Sequence, residues 1–405
     1  MKERILFVTN LLPYPLDNGG KIKTYNTLCV LKEIYDIDLL CFIEDDNDLT
    51  YIKELERLGI NLNCVKKILR HAGKPYLLLF EVVKSLFSRY PYIISKFLSK
   101  EMHKLIRVNA LKNKYKYIYI DHLQLFPYFY DAMSVDRKVK VILDQHNVES
   151  QIVQRRLNNS RNLFSKLFLI LEYWKALLFE KSACKRADIV LAITEQDKVK
   201  ILELTCGKCN CHVSPYVMKR EEIKFLGNCN EKIILFIGTM SWYPNEDGLL
   251  WFYNNVFKAF DLGGKGWKLI VVGNSPTKRV LKLADDSFVK VTGYVDDVTS
   301  YIQKSLLSVV PLRIGGGMRI KILDLFKWGV PVISTDIGCE GIPASDNKSI
   351  LIANSPEEFL KKINLFEQNE RLRENLVENA FKLIDEKYSF ERARGQFQEI
   401  LNSTK

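Results

Sequence analysis

The sequence has 405 residues, 47% of them hydrophobic and 27% charged, which excludes a disordered chain or a fibrous repeat and is long enough for two domains with separate cores. Its nine cysteines are scattered without a disulfide-like framework, which fits a reducing cytosol. The formal net charge of +12 directs attention to anionic partners: nucleotide phosphates, anionic lipid surfaces or nucleic acid.

The chain opens with a short charged start and a five-residue apolar run, a buried strand rather than a signal peptide. A loop follows, in which Asn18, Gly19 and Gly20 precede a helix whose first turn carries Lys21 and Lys23. Residues 66–107 concentrate basic and aromatic side chains; they read as solvated helix faces over a core, or as an in-plane membrane contact or acceptor-site wall. Residues 163–179 are the most apolar long segment. Lys166, Glu172 and Lys175 interrupt it, so it is an amphipathic helix and not a bilayer span.

Strand patterns recur at residues 38–43, 117–120, 139–143 and 189–193 with helical stretches between them, which predicts a parallel sheet covered on both faces. Ligands of such sheets bind at the carboxyl ends of the strands. Two of those ends are polar: Asp121 and His122 follow one strand, and Asp144, His146, Asn147 and Glu149 follow another. His122 reads first as a satisfied structural histidine. His146, in the denser cluster, reads as a hydrogen-bonding group for a sugar hydroxyl or a phosphate.

Between residues 205 and 230 the pattern weakens and Gly, Asn, Pro and Cys accumulate, marking a domain boundary. Cys206, Cys209, Cys211, His212 and Cys229 lie there, but CxxCxCH matches no common four-ligand zinc frame and also reads as a strand. A second alternating series then begins, with strands ending at or near Gly238, Gly273 and Gly293.

That series culminates in VVPLRIGGGMRIKILDLFKWGVPVISTDIGCEGI, read as strand, glycine turn, helix and strand. Arg319 and Lys321 fall in the first turn of this helix, where a cation is unfavourable by about 0.3–1 kcal/mol. A bound phosphate or diphosphate would compensate, although a plain tight turn at Gly315, Gly316 and Gly317 with solvated lysine and arginine remains an open alternative. Asp324 is either an ion-pair partner of Lys321 or a carboxylate that holds a ribose diol.

Taken together, ILFIGTMSWYPNEDGLLWF, VTGYVDDVTSYI, the glycine-loop segment, NGGKIKTYNTL and DQHNVES resemble the GT-B fold glycosyltransferases, specifically the retaining group 1, family 4 enzymes. The resemblance implies an α/β chain of two Rossmann-like domains facing a cleft: residues 1–215 for the acceptor, residues 216–385 for a nucleotide-diphosphate sugar, and a final helix, residues 386–405, crossing back. It implies a donor-binding set of Gly238, Gly273, Gly293, Tyr294, Val295, Arg313, Gly315, Gly316, Gly317 and Asp324. His146, Arg319 and Lys321 take catalytic roles, and Gly19, Gly20, Lys21, Asp121, His122, Asp144 and Asn147 form an acceptor and phosphate loop set.

No cofactor or metal is implied, only a nucleotide-sugar donor, with UDP-sugar favoured over GDP-sugar. The acceptor would be a glycan or a lipid-linked molecule in bacterial surface polysaccharide synthesis. The protein is expected in the cytoplasm, with a peripheral membrane contact. The sequence departs from the family pattern in having Gly316 where the first of two glutamates is usual, Asp324 for the second, and Thr239 where an arginine is common. Those departures keep a non-catalytic partner subunit open as a rival, along with a nucleotide-sugar epimerase on the same fold. A nucleic-acid-binding reading finds no recognised module.

Overall fold

The computed structural model describes residues 2–16, 19–44, 46–67, 82–83, 85–160, 162–218, 231–240, 242–314 and 319–403. The triple glycine Gly315, Gly316 and Gly317 lies outside the described residues, as do Asn18, Cys229 and residues 68–81. The chain divides into two compact units, Met1–Val217 with Ala393–Lys405, and Met218–Arg392.

In the first unit, seven parallel strands lie in the order β3-β2-β1-β4-β5-β6-β7. They are β1 Arg4–Thr9, β2 Asp36–Ile43, β3 Asn61–Lys66, β4 Tyr117–Asp121, β5 Lys140–Gln145, β6 Ile189–Ala192 and β7 Cys211–Val213. The central strands are almost continuously apolar because both of their faces are covered. The edge strand β3 is polar and largely half-exposed, so its pattern does not announce it. The short β7 realises the strand reading of the cysteine-rich segment.

Four helices of this unit matter for function: α1 Gly19–Ile34, α2 Lys100–Lys112, α3 Glu149–Asn159 and α4 Leu163–Arg186. The lysine-interrupted apolar segment is indeed helical. No described helix is long and apolar enough to cross a membrane.

In the second unit, six parallel strands run in the order β10-β9-β8-β11-β12-β13. They are β8 Lys232–Ile237, β9 Trp267–Val272, β10 Val289–Gly293, β11 Leu307–Val310, β12 Val332–Ser334 and β13 Leu351–Ile352. Helix α5, Tyr243–Phe252, follows β8, and α6, Ile320–Lys327, follows the glycine loop with Ile322, Leu323, Leu325 and Phe326 buried. The last helix, α7, is Phe390–Asn402, and its residues from Ala393 onward belong to the first unit. There Tyr117 Oη donates to Leu401 O at 2.9 Å.

Candidate functional site

Register brings the polar residues of the first unit together. Thr9 pairs with Asp121 and Asp121 with Asp144, so β1, β4 and β5 end in one polar row. The first turns of α1 are laid over that row: Thr9 and Thr24 hydroxyls donate to Asp121 Oδ2 at 2.7 and 2.8 Å. Lys23, 3% exposed, donates to Asp144 Oδ2, which also accepts from Tyr119 Oη at 2.5 Å. Lys23, two residues beyond Lys21 of the expected set, is thereby ion-paired into this cluster.

Two histidines complete the cluster. His122 adopts a left-handed backbone, φ 89°, a conformation uncommon for a non-glycine residue and one found at built sites. Its ring stacks on His146 with centroids 3.7 Å apart. His146 Nε2 lies 2.8 Å from Asp121 Oδ1 and 3.4 Å from the Lys23 ammonium. His122 is hydrogen-bonded to Asp121 O at 2.8 Å, as expected of a satisfied structural histidine, and it belongs to the same network as His146.

Electrostatics divides the pair. Burial and the neighbouring charges of His122 and Lys23 push His146 down to about 4, so its imidazole is neutral at pH 7. Burial alone would lower His122, but the Asp121 charge outweighs that and raises it. Burial likewise opposes the Asp121 carboxylate, and the two histidines hold it well below its ordinary range. With Nε2–H donating to Asp121, His146 keeps Nδ1 as an acceptor. Asn147 is exposed beside it.

Glu180 on α4, a residue with no sequence signal of its own, positions this loop. Its buried carboxyl accepts from the N–H of Glu149 at 2.8 Å and of Ser150 at 3.0 Å, at the start of α3 three residues beyond His146. Burial pushes it up to about 7.

Ligand atoms of Asp121, His122 and His146 lie within 4.8 Å of one another, a spacing that a metal ion could use. Their mutual hydrogen bonds and the Lys23 ammonium beside His146 fit a self-satisfied polar network better than a cation site.

In the second unit the strand ends again define the place. Gly273 has φ 151°, and a Cβ there would stand 1.8 Å from Gly238 O. Only glycine lets the ends of β8 and β9 approach so closely. Gly273 N donates to Gly293 O at 3.0 Å, which joins the third expected glycine to the row; Tyr294 beyond it is exposed and Val295 half-buried.

Helix α6 starts beside β8. Lys321 Nζ donates to Asn245 Oδ1 at 2.6 Å, and the Asn245 amide donates to Thr239 O at 2.9 Å. Asn245, buried in the first turn of α5, therefore ties Lys321 to the turn after β8; sequence reasoning quoted its segment without singling it out. Burial and the nearby Arg319 charge push Lys321 down to about 7. Arg319 is itself 7% exposed, with its guanidinium 5.4 Å from the Trp242 ring centre.

Two expectations change in detail. Asp324 forms an ion pair with Lys327 at 3.7 Å, while Lys321 donates to Asn245. Arg313 makes a two-pronged ion pair with Asp247, at 2.7 and 3.0 Å, so its charge is neutralised within the chain and does not join Arg319 and Lys321.

Residues 231–369 match the family model described as glycosyl transferases group 1. The chain is also 25% identical, over 95% of its own length and 96% of the relative's, to an uncharacterized 44.6 kDa protein in the cps region of Klebsiella pneumoniae. An uncharacterized glycosyltransferase of Methanocaldococcus jannaschii is 24% identical over 57% of this chain and 62% of its own.

Among solved structures, HepE of Anabaena in complex with UDP superimposes with TM-score 0.67 over 100% of both chains at 13% identity. Sucrose-phosphate synthase of Thermosynechococcus elongatus does so with TM-score 0.67 over 99% of both at 13% identity. The fold is GT-B. Within this GT-B chain, the two clusters described above occupy the carboxyl ends of the two sheets, where parallel α/β folds bind ligands.

Proposed function

We propose that this chain is a retaining glycosyltransferase that moves a sugar from a nucleotide-diphosphate sugar, most simply a UDP-sugar, to a glycan or lipid-linked acceptor in bacterial surface polysaccharide synthesis. One observation carries the reading: Arg319 and Lys321 are like charges held together at the start of α6, where the helix N–H groups already concentrate positive charge. An anion such as a diphosphate relieves that conflict. The group 1 match over this unit and the HepE structures containing UDP and UDP-glucose support the donor class. The Klebsiella relative in a cps region supports the surface-polysaccharide setting.

In this mechanism the bond to the diphosphate breaks through an oxocarbenium-like state. Arg319 and Lys321 stabilise the charge that develops on the leaving phosphate. His146, neutral, accepts a hydrogen bond from a sugar hydroxyl, and Asp324 holds the ribose diol. The leaving phosphate takes the acceptor proton on the same face, so configuration is retained. No metal is required. A peripheral contact of the basic N-terminal half with an anionic membrane belongs to the same reading.

The test is a thermal-shift panel of UDP, GDP, ADP, CMP and dTDP on wild type and Asp324→Ala. A specific ligand at about 100 times its Kd stabilises by about 2.7 kcal/mol. UDP should shift the wild type and shift the variant less. Stabilisation by none of the five would favour the non-catalytic partner reading, which Asp324 and Gly316 motivate. Turnover of the donor without an acceptor would favour the epimerase.

A further inference from the structure

Helix α4 carries its apolar residues on the wrong side for a protein surrounded only by water. Leu163, Phe164, Leu167, Leu171, Trp174 and Leu178 are all exposed, Phe164 by 83% and Trp174 by 56%. At 100° per residue they share one stripe over four turns, while Glu172, Ala176, Glu180 and Ala183 occupy the buried side. Lys181 and Lys185 continue the stripe toward the C-terminus of the helix. Phe87, 88% exposed, adds to this surface: Lys175 on α4 donates to Ser85 O at 2.8 Å and Leu86 O at 3.3 Å, which fixes that segment against the helix. An exposed apolar surface of this extent marks an interaction site.

What lies beside it identifies the partner. A cavity of about 1130 Å³ opens along the same helix and shares Lys175 and Leu178 with it. Its cations are Arg89, Lys100, Lys104, Arg107, Lys175 and Arg186, drawn from three segments of the chain. Among the described residues its wall holds one carboxylate, Asp131, which bonds Arg107 at 2.9 Å and also His103, so the described lining is strongly positive. Tyr90, Phe126, Tyr130 and Phe179 give it an aromatic floor. A leucine- and tryptophan-rich stripe bordered by a basic hollow complements an anionic bilayer: apolar residues enter the interfacial zone and cations meet the phosphates.

We propose that this face of the first unit is a lipid-docking site, in which the α4 stripe lies in the interface of an anionic membrane and phosphate head groups of that membrane enter the basic cavity. The inference rests on the membrane contact included in the proposed function, and it names the element, the cavity and the lipid chemistry.

The experiment is flotation of the full chain with phosphatidylglycerol-containing vesicles and, separately, with phosphatidylcholine vesicles, with no nucleotide present. Wild type should float with the anionic vesicles only. The double variant Leu171→Glu, Trp174→Glu should bind them about tenfold or more weakly. The double variant Lys100→Glu, Lys104→Glu should bind at least about fivefold more weakly. All four side chains are exposed, so both variants should keep the wild-type melting temperature.

If wild type floats and the variants float equally well, the α4 face is wrong while a membrane contact elsewhere stands. If wild type floats with neither vesicle, the membrane contact itself falls, whatever the nucleotide panel reports. Equal flotation on phosphatidylcholine would overturn the role of the phosphates. A wild-type dimer that Trp174→Glu converts to monomer would make the stripe a contact between two copies and overturn the proposal.

Discussion

Lys321 is the residue at which burial and charge conflict most directly. Its folded pKa is depressed to about 7 by burial and by Arg319, so the ammonium is lost as pH rises through neutrality, well below the usual lysine range. A bound diphosphate stabilises the charged form, so binding takes up a proton above pH 7. UDP affinity is therefore expected to fall with rising pH by up to about tenfold per unit, measured by titration calorimetry at about pH 7 to 9. Lys321→Ala should flatten that profile and lower turnover by about 10²–10³. An identical pH profile in the variant would remove Lys321 from the site. The sequence exposed Lys321 and Arg319 because cations at a helix start break a local rule. It hid Asn245, whose role exists only through a contact between residues 76 positions apart. It placed Lys21 and Lys23 together in the first turn of α1, but the ion pair of Lys23 with Asp144 depends on the orientation of α1 on the sheet, which no spacing shows.

At the scale of elements, the strand ends decide what each position tolerates. Gly273→Ala would place a Cβ 1.8 Å from Gly238 O, backbone that cannot swing aside, at a φ that side chains rarely adopt. Urea denaturation should show a loss of about 3 kcal/mol. Gly395→Ala on α7 meets nothing within 4 Å and should instead gain about 0.5–1 kcal/mol. Losses of equal size at both would refute the steric account. Apolar runs made the central strands legible, since burial on both faces leaves an unmistakable pattern. The edge strand β3 stayed silent because its side chains are half-exposed, and β13 because two residues carry no period. Glu180 was illegible for a related reason: it sits mid-helix, and only the packing of α4 on α3 turns it into an acceptor for the loop after His146.

For the whole molecule the governing quantity is charge, and composition states only its total. A net charge of +12 pointed equally to nucleotides, lipids and nucleic acid; the folded chain collects cations at the start of α6 and in the cavity beside α4. That distribution bears on whether turnover needs a metal. A divalent ion commonly neutralises a leaving diphosphate, and Asp121, His122 and His146 lie close enough together to suggest ligands for one. Yet His146 Nε2 and Asp121 Oδ1 are bonded to each other at 2.8 Å, and the Lys23 ammonium is 3.4 Å from the same nitrogen. A metal would have to break that bond and sit beside a fixed positive charge, at a Coulomb cost of about 4 kcal/mol for unit charges 4 Å apart at an effective dielectric of 20. In the proposed mechanism Arg319, Lys321 and the α6 N-terminus supply the charge that a leaving diphosphate needs. Initial rates should therefore be unchanged by EDTA and unaffected by added magnesium. Activity abolished by EDTA and restored by magnesium would show that the chain's own cations are insufficient, and would move Asp121, His122 and His146 from a structural network to a metal centre.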